Sequence, residues 1–356
     1  MKRIPRILIA GAIFVLFGLR TLAGEGGLYF PPVDGEWETI KPSEAGWDED
    51  KLQLALNYAG ENQSSGVVVL YRGRILAEQY WDAQAIRSAK YSARILGRDK
   101  AGRPIEDVAS AQKSVTSILV GIAQQKGLLK IDDRVDEYLG PGWSRATLEQ
   151  EAAISIRHLI TMSSGLSLRG TFEAPAGTKW RYNTGVYAKS MEVLEKAAGM
   201  DRHELTRKWL TEPLGMLDSK WVRRGSPALQ QVNGFGFAST ARDLARFGLM
   251  ALADGSWDGE AILSDRQYLK EATSSSQKLN PFYGYLWWLN RDAFDSEKAP
   301  RLATAPIDMF SANGALNRRC FVVPSLQLIV TRIGDQPKAN KTFDRAFWKL
   351  LMDAAN

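Results

Sequence analysis

The sequence has few of the side chains that most often bind transition metals or move protons near neutral pH. Among its 356 residues are one cysteine, Cys320, and two histidines, His158 and His203. A single cysteine excludes an internal disulfide, and the shortage leaves no zinc site of the usual cysteine and histidine type, although carboxylates remain available for calcium. Both histidines fall in helical patterns that favour structural or surface roles. The sequence therefore predicts no metal site and no other cofactor.

Long hydrophobic runs are also scarce. Residues 7–19 form a 13-residue apolar run, shorter than the roughly 20 residues of a membrane-spanning helix. Three basic residues precede the run and small residues follow it, the plan of a secretory signal over residues 1–23. Because Arg20 lies close to the cleavage position after Ala23, an uncleaved membrane anchor is the alternative. Either interpretation predicts export to the periplasm or the extracellular space.

Positive charge is concentrated in this first segment. The whole chain has 46 basic and 40 acidic residues, a formal net charge of +6. Without residues 1–23, 42 basic residues remain beside the 40 acidic ones. No stripe of lysine and arginine with interleaved aromatic residues occurs, so nucleic acid is not an expected partner.

Several well-known enzyme signatures are missing. The sequence has no G-x-S-x-G turn, no H-E-x-x-H motif and no phosphate-binding Walker loop, and the glycines of residues 233–237 do not complete G-x-G-x-x-G. No internal repeat or low-complexity segment occurs. These absences argue against the enzyme classes that those motifs define.

Strand patterns lie near both ends of the chain, with helical patterns between them. Strand-like runs cover residues 66–81, with a turn at Arg72-Gly73, and residues 283–289 and 320–334. Helical patterns cover 49–62, much of 128–255, and 341–354. Residues 24–48 are predicted to form an irregular arm and residues 82–107 a loop.

This order of elements predicts a mixed α/β (α+β) fold for residues 49–354. Strands from 66–81 and 283–334 would form one antiparallel sheet flanked by the terminal helices. A mainly helical insertion, at about residues 108–255, would lie between the second and third strands of that sheet.

One helical stretch, residues 108–127, combines a buried face with a reactive pair at its beginning. Ser110 and Lys113 are three residues apart, so their side chains share one face of a helical turn. A serine becomes a good nucleophile when a base takes its proton, and a lysine can be that base if burial lowers its pKa. A second Ser-x-x-Lys, at Ser275 and Lys278, has no apolar helix behind it. The alternative interpretation makes Ser110 a helix cap and Lys113 a solvated residue.

Two later segments carry candidate partners for this pair. Tyr182 precedes a helix, and a phenol near a lysine can relay a proton; alternatively, Tyr182 is a packing residue. Gly314 follows a strand-like run and would let a substrate approach the backbone closely, unless the segment is only a hairpin connection. Trp287 and Trp288 are candidates for an apolar pocket or for the core, and strand alternation places only one of them on each face.

Together these segments resemble the three motifs of the penicillin-recognising serine hydrolases. Ser110-Ala-Gln-Lys113, Tyr182-Asn-Thr184 and Ala312-Asn-Gly314-Ala315 follow the order and approximate spacing of that superfamily. Framework segments from about residue 40 to residue 350 are also similar to its class C β-lactamase-like group, which includes D-alanyl-D-alanine carboxypeptidases, esterases and 6-aminohexanoate-dimer hydrolases. The resemblance implies a β-lactamase/transpeptidase-like fold.

The resemblance also implies a role for each motif residue. Ser110 is the expected nucleophile, Lys113 its activator and Tyr182 the proton relay. The backbone N–H groups of Ser110 and Ala315 are the expected oxyanion hole. Residues expected to contact the substrate are Asn183, Thr184, Trp288, Asn313 and Gly314.

Two departures from the family pattern bear on the substrate. The second motif ends in Thr184 where asparagine is usual, and the third begins with Ala312 and Asn313 where a cation and a hydroxyl are usual. Loss of the cation removes about 1.5–3 kcal/mol of charge-assisted binding to a substrate carboxylate, unless Arg318 or Arg319 replaces it.

The sequence therefore favours an exported serine hydrolase that cleaves a small-molecule carboxylic ester or amide through an acyl-serine. A class C-type β-lactamase or D-alanyl-D-alanine carboxypeptidase is the first alternative. The missing cation disfavours it, because penicillins and D-Ala-D-Ala ends both carry a carboxylate. A penicillin-binding-like sensor that is acylated without turnover is the second. The sequence leaves the oligomeric state open.

Overall fold

Residues 27–82, 88–225, 227, 230 and 233–355 are described by the computed structural model. The predicted signal or anchor at residues 1–23 lies outside this part of the chain. Among the described residues, no helix has the length and apolar character needed to cross a membrane.

Strands occur in three sheets. In chain order they are β1 (Ser64–Tyr71), β2 (Arg74–Tyr80), β3 (Ile95–Arg98), β4 (Pro104–Asp107), β5 (Lys220–Arg223), β6 (Phe235–Ser239), β7 (Ser256–Trp257), β8 (Glu260–Ala261), β9 (Trp288–Leu289), β10 (Phe310–Gly314), β11 (Arg318–Val323) and β12 (Leu328–Gly334). The larger sheet has the order β2-β1-β12-β11-β10-β9, the smaller sheet β3-β4-β6-β5, and β7 pairs with β8. All pairs are antiparallel.

Helices flank the larger sheet and fill the insertion. They are α1 (Glu49–Glu61), α2 (Ala89–Ser92), α3 (Gln112–Gln125), α4 (Val135–Leu139), α5 (Leu148–Ala152), α6 (Ile156–Ile160), α7 (Thr184–Tyr187), α8 (Lys189–Ala198), α9 (Arg202–Thr206), α10 (Ala241–Leu252), α11 (Arg266–Ala272) and α12 (Phe343–Ala354). Helix α9 continues into a π-helical turn, Arg207–Thr211.

Strand β1 explains how the larger sheet is covered on both faces. Val67 and Val69 belong to a core cluster with α1 and α12, whereas Val68 and Leu70 belong to the cluster that includes α3 and α10. Because successive side chains of a strand point to opposite faces, a continuous apolar run such as this one fits a strand that is buried on both sides. The predicted sheet with terminal helices on one face is confirmed.

The segment between β2 and α3 is more regular than predicted. Residues 82–107 were expected to form a loop, but α2, β3 and β4 lie in this segment. Strand β4 pairs with β6 through Glu106↔Ser239 and Asp107↔Ala238. These strands are four or five residues long, and each pairs with a segment more than a hundred residues away, so local patterns carry little information about them.

The predicted strand at residues 283–289 is mostly wrong. Only Trp288 and Leu289 pair as a strand, with Ser311 and Phe310 of β10. Leu286 has a φ of 62°, in the left-handed region, and its N–H donates to the Ile160 carbonyl at 2.9 Å. Helix α6 therefore bends this segment away from the regular strand geometry.

A buried ion pair connects the smaller sheet with the larger sheet. Glu106 of β4 and Arg318 of β11 are fully buried, and the carboxylate lies 2.8 Å from the guanidinium. The same carboxylate accepts hydrogen bonds from Tyr91, Ser65 and the Gly334 N–H. Glu106 therefore binds groups on β1, β11 and β12 while it lies four residues before Ser110.

Removing the positive partner of this pair should cost much of the stability. In Arg318→Ala, Glu106 stays buried without its counter-ion, so we expect the free energy of unfolding to fall by about 3–5 kcal/mol. Urea unfolding followed by tryptophan fluorescence measures the change. Lys349→Ala, which removes an exposed ion pair with Asp353, is the control and should cost less than about 1 kcal/mol. If Arg318→Ala lowered the free energy of unfolding by no more than Lys349→Ala, the result would contradict the structural role of the buried pair.

Candidate active site

A sharp turn between β4 and α3 presents Ser110. The chain passes through a 3-10 turn at Ala109–Ala111, here called the nucleophile turn, before the α-helix begins at Gln112. Ala109 has a φ of 53°, a left-handed conformation that costs a non-glycine residue about 1–2 kcal/mol. The Asp107 carboxylate stabilises the turn by accepting the Ala109 N–H at 2.9 Å. Ser110 is half-buried, and its hydroxyl caps no helix.

Lys113 lies against Ser110, as the spacing predicts. Its Nζ is 3.0 Å from the Ser110 Oγ, and the side chain is buried, with 2% of the residue exposed. Burial, with a smaller contribution from the charge of Arg224, lowers the pKa of Lys113 to about 7. Near neutral pH, a large fraction of this amine is therefore uncharged and able to accept a proton. Its alternative interpretation as a solvated residue is wrong.

Tyr182 approaches the same hydroxyl from the segment before α7. Burial raises the pKa of its phenol, and the neighbouring Ser110 side chain acts on that pKa in the opposite direction. Lys113 Nζ lies 4.8 Å from the centroid of the Tyr182 ring and 4.3 Å from that of Tyr187. A phenol with a raised pKa keeps its proton at neutral pH, which suits a relay better than a permanent base.

Gly314 brings the end of β10 against the nucleophile turn. A Cβ built on Gly314 would lie 2.1 Å from the Val108 carbonyl oxygen and 3.3 Å from the Ala111 nitrogen. Only glycine fits such a close approach. Ala315 follows directly and is exposed in a short turn, so its backbone lies beside the turn that carries Ser110. The segment is also the connection between β10 and β11.

We expect Gly314→Ala to inactivate the site without unfolding the protein. The new methyl group must push β10 away from the nucleophile turn, and a displacement of about 1 Å can cost roughly a hundredfold in rate. The measurement is kcat/KM on an activated ester, with circular dichroism to monitor the fold. Gly225→Ala, at a glycine with open space around it, should leave the rate unchanged. Full activity in Gly314→Ala would contradict the close packing.

Arg224 and Asp107 shape the electrostatics around Lys113, and sequence reasoning missed both. Arg224 Nε and Nη2 donate to the two Asp107 oxygens at 2.9 and 3.1 Å, and Arg94 pairs with the same carboxylate at 2.9 Å. Two guanidinium groups hold the pKa of Asp107 below its usual value, against the effect of burial. Two arginines beside one aspartate leave a net positive charge near Lys113. No local sequence motif indicates this arrangement.

Four aromatic side chains form one side of the site. We call them the aromatic wall: Trp180, Tyr182, Tyr283 and Trp288, with ring centroids 4.9–6.4 Å apart. Trp288 is half-buried in this wall, whereas Trp287 is buried in the core and stacks on Phe247 at 5.5 Å. The two tryptophans therefore have different surroundings, although Trp287 lies outside the paired strand on which the predicted alternation depended.

The remaining predicted contact residues differ in their surroundings. The Asn183 side chain is buried and occupied by backbone groups: it accepts the Val186 N–H and donates to the Leu166 and Ser167 carbonyls. Asn183 therefore caps α7, which argues against the predicted contact with substrate. Thr184 is half-buried in the first turn of α7. The Asn313 Oδ1 is buried with no hydrogen-bond partner in the described part of the chain.

Neither arginine after β10 replaces the missing cation of the third motif. Arg318 is buried against Glu106. Arg319 pairs with Asp344 at 3.0 Å and donates to the Gly314 carbonyl at 2.9 Å. Both charges are therefore compensated by nearby carboxylates.

Other reactive side chains lie outside the site. His158 accepts the Ser155 N–H at 3.0 Å as part of a helix cap, and His203 contacts Phe235. Burial raises the pKa of the Cys320 thiol to about 12. In the second Ser-x-x-Lys, Ser275 donates to the Pro281 carbonyl, while Lys278 lies over the Phe294 ring. Within the described residues, no group of three or more candidate ligands is arranged to hold a metal ion.

The fold combines an antiparallel sheet with a mixed insertion, and the serine, lysine and tyrosine of the site lie between them. This arrangement is that of the penicillin-recognising serine-hydrolase superfamily, with its β-lactamase/transpeptidase-like fold. A sequence model of the Beta-lactamase family matches residues 56–350. The chain belongs to this family.

Known proteins support the same placement. Penicillin-binding protein 4* of Bacillus subtilis is 25% identical over 187 residues, which cover 44% of this chain and 40% of that protein. A structure provisionally named a 6-aminohexanoate-dimer hydrolase, from Bacillus anthracis, has a TM-score of 0.66 at 14% identity, covering 92% of this chain and 88% of that one. A D-stereospecific amidohydrolase from Streptomyces has a TM-score of 0.58 at 16% identity, covering 84% and 98%. At these identities the structural likeness defines the fold.

Proposed function

We propose that the protein is a serine hydrolase that cleaves a carboxylic ester or amide through an acyl-Ser110 intermediate. The observation that carries the proposal is the 3.0 Å contact between Ser110 Oγ and an amine whose pKa is lowered to about 7. A buried lysine in contact with a half-exposed serine fits activation of a nucleophile.

The geometry supports a two-step reaction. Neutral Lys113 accepts the Ser110 proton as Oγ attacks the substrate carbonyl. The N–H groups of Ser110 and Ala315 stabilise the oxyanion, and Tyr182 relays the proton from Lys113 to the departing alcohol or amine. Water then attacks the acyl-enzyme with the same residues acting in reverse, which releases the acid and restores Ser110.

The surroundings of β10 bear on the substrate. Ala312, at the start of the third motif, has 1% of its surface exposed, and the two arginines that follow β10, Arg318 and Arg319, are paired with carboxylates. A carboxylate directly beside the scissile bond therefore lacks a charged partner. The unpaired Asn313 Oδ1 supports a contact with a substrate N–H, and Trp288 and Thr184 are proposed to contact the rest of the substrate.

The second candidate is a β-lactamase or D-alanyl-D-alanine carboxypeptidase. Family membership and the similarity to penicillin-binding protein 4* favour it. The absence of a free cation on β10 disfavours it, since both substrate types carry a carboxylate near the reacting carbonyl.

A substrate panel separates these candidates. We expect kcat/KM for p-nitrophenyl butyrate to exceed that for nitrocefin or for a D-alanyl-D-alanine peptide by about tenfold or more. Nitrocefin turnover equal to that of the ester would favour the second candidate. A third outcome is that a fluorophosphonate labels the protein but no substrate gives more than one equivalent of product. This outcome would indicate a sensor that is acylated without turnover.

We also propose that the reaction takes place outside the cytoplasm, on the basis of the signal-like segment 1–23. Fractionation of cells that express the full chain tests this proposal. Recovery of the protein only in the cytoplasm would contradict it.

A further inference from the structure

The aromatic wall continues into an arginine that carries no ion pair. The guanidinium carbon of Arg301 lies 5.0 Å from the centroid of the Trp288 ring, and that ring lies 5.8 Å from Tyr182. Arg301 is exposed. In contrast to its neighbours Arg318 and Arg319, it has no acidic partner within 4.0 Å in the described part of the chain.

The backbone around Arg301 is fixed by a buried asparagine. Asn290 directly follows β9 and has 1% of its surface exposed. Its backbone carbonyl accepts the Arg301 N–H at 3.0 Å, and its side chain bonds the backbone N–H of Leu302 at 2.7 Å and the Pro306 carbonyl at 2.9 Å. Arg301 therefore extends from a backbone anchored at the edge of the larger sheet.

The local charge around Arg301 favours an anion. Arg319 is near enough to lower the pKa of Arg301. Among the described residues, the acid that acts on Arg301 is Asp344, which already pairs with Arg319. Desolvation and the charge of Arg319 hold the pKa of Arg301 below its ordinary value, but a guanidinium remains charged at neutral pH. A second positive charge without its own counter-ion attracts anions from solution.

We propose that Arg301 binds an anionic group of the substrate, such as a carboxylate, at a distance from the scissile carbonyl. This inference rests on the proposed function. A guanidinium over an aromatic ring presents its N–H edge as a planar fork, which matches a carboxylate with two parallel hydrogen bonds. Arg301 contacts Trp288, and Trp288 contacts Tyr182 of the catalytic group. A substrate that follows this aromatic wall carries an apolar segment between its ester or amide and its anion.

Matched ester pairs test this specificity. One series has p-nitrophenyl esters of ω-carboxy acids of increasing length, each compared with the ester whose terminal carboxylate is replaced by a methyl group. A second series places the carboxylate in the alcohol portion. We expect one chain length, in one of the two series, to be preferred over its neutral counterpart by about tenfold in kcat/KM, and the favoured series identifies the side of the scissile bond that faces Arg301.

Variants assign the preference to Arg301. In Arg301→Gln the anionic and neutral esters should react equally, with the neutral rate retained, while Arg301→Lys should keep part of the preference. Arg291→Gln, which removes an exposed positive charge from the same segment, should keep all of it. A wild-type protein without preference at any length, or a preference that survives Arg301→Gln, would overturn the inference. A wild-type protein that is inactive on every ester would instead count against the proposed function itself.

Discussion

Replacing Ser110 by alanine should abolish both labelling and turnover. The Oγ is the atom that Lys113 contacts at 3.0 Å, and an enzyme without its nucleophile cannot form the acyl intermediate. In other serine hydrolases such a loss lowers kcat by about 10⁶-fold, and we expect at least about 10⁴-fold here. Stopped-flow measurement of the p-nitrophenolate burst and intact-protein mass spectrometry after fluorophosphonate treatment provide the readouts.

The chain supplies a matched control for this experiment. Ser275 lies in a second Ser-x-x-Lys, but its hydroxyl is hydrogen-bonded to the Pro281 carbonyl rather than to a lysine. Ser275→Ala should therefore keep both the burst and the label. A labelled Ser110→Ala protein, or an unlabelled Ser275→Ala protein, would reject Ser110 as the nucleophile.

The second large effect concerns the protonation of Lys113. Its pKa is about 7, and only the neutral amine can accept the Ser110 proton. Below this pKa the lysine becomes charged, so kcat/KM should fall about tenfold for each pH unit of further acidification, and above it the rate should reach a plateau. Lys113→Ala should lower kcat by about 10²–10⁴-fold and remove this limb of the pH profile.

Arg224 offers an independent check on the cause of this shift. Its positive charge lowers the pKa of Lys113, so Arg224→Gln should move the acidic limb of the profile to higher pH. Arg94 keeps an ion pair with Asp107 at 2.9 Å in that variant, which preserves part of the local structure. Rates independent of pH between 5 and 9 in the wild type would contradict a catalytic role for the Lys113 amine.

The sequence predicts the parts of the site that depend on local spacing. Ser110 and Lys113 are one helical turn apart, so their contact follows from backbone geometry. The hairpin of β1 and β2 follows from two runs with strand propensity on either side of the turn at Arg72-Gly73. Strand alternation, by contrast, does not explain the different surroundings of Trp287 and Trp288, because only Trp288 and Leu289 of that segment pair as a strand.

The parts that the sequence does not reveal depend on contacts between distant segments. Glu106 meets Arg318 across more than two hundred residues, and Arg224 reaches Asp107 across more than one hundred. Asn183 stands next to Tyr182 in a motif, yet its amide bonds the backbone of residues 166 and 167. Arg301 belongs to no motif, and only the position of its ring partner Trp288 connects it with the site.

The pairing of β1 with β12 sets an order of events during synthesis on the ribosome. Residues 64–71 are translated before their partner, residues 328–334, which follows more than 250 residues later in the chain. At about 5–20 residues per second, more than ten seconds separate the two. The edge of β1 that faces β12 stays unpaired during this interval, although β2 can already cover the other edge, so the nascent chain exposes an apolar strand edge for longer than a protein with a local sheet would.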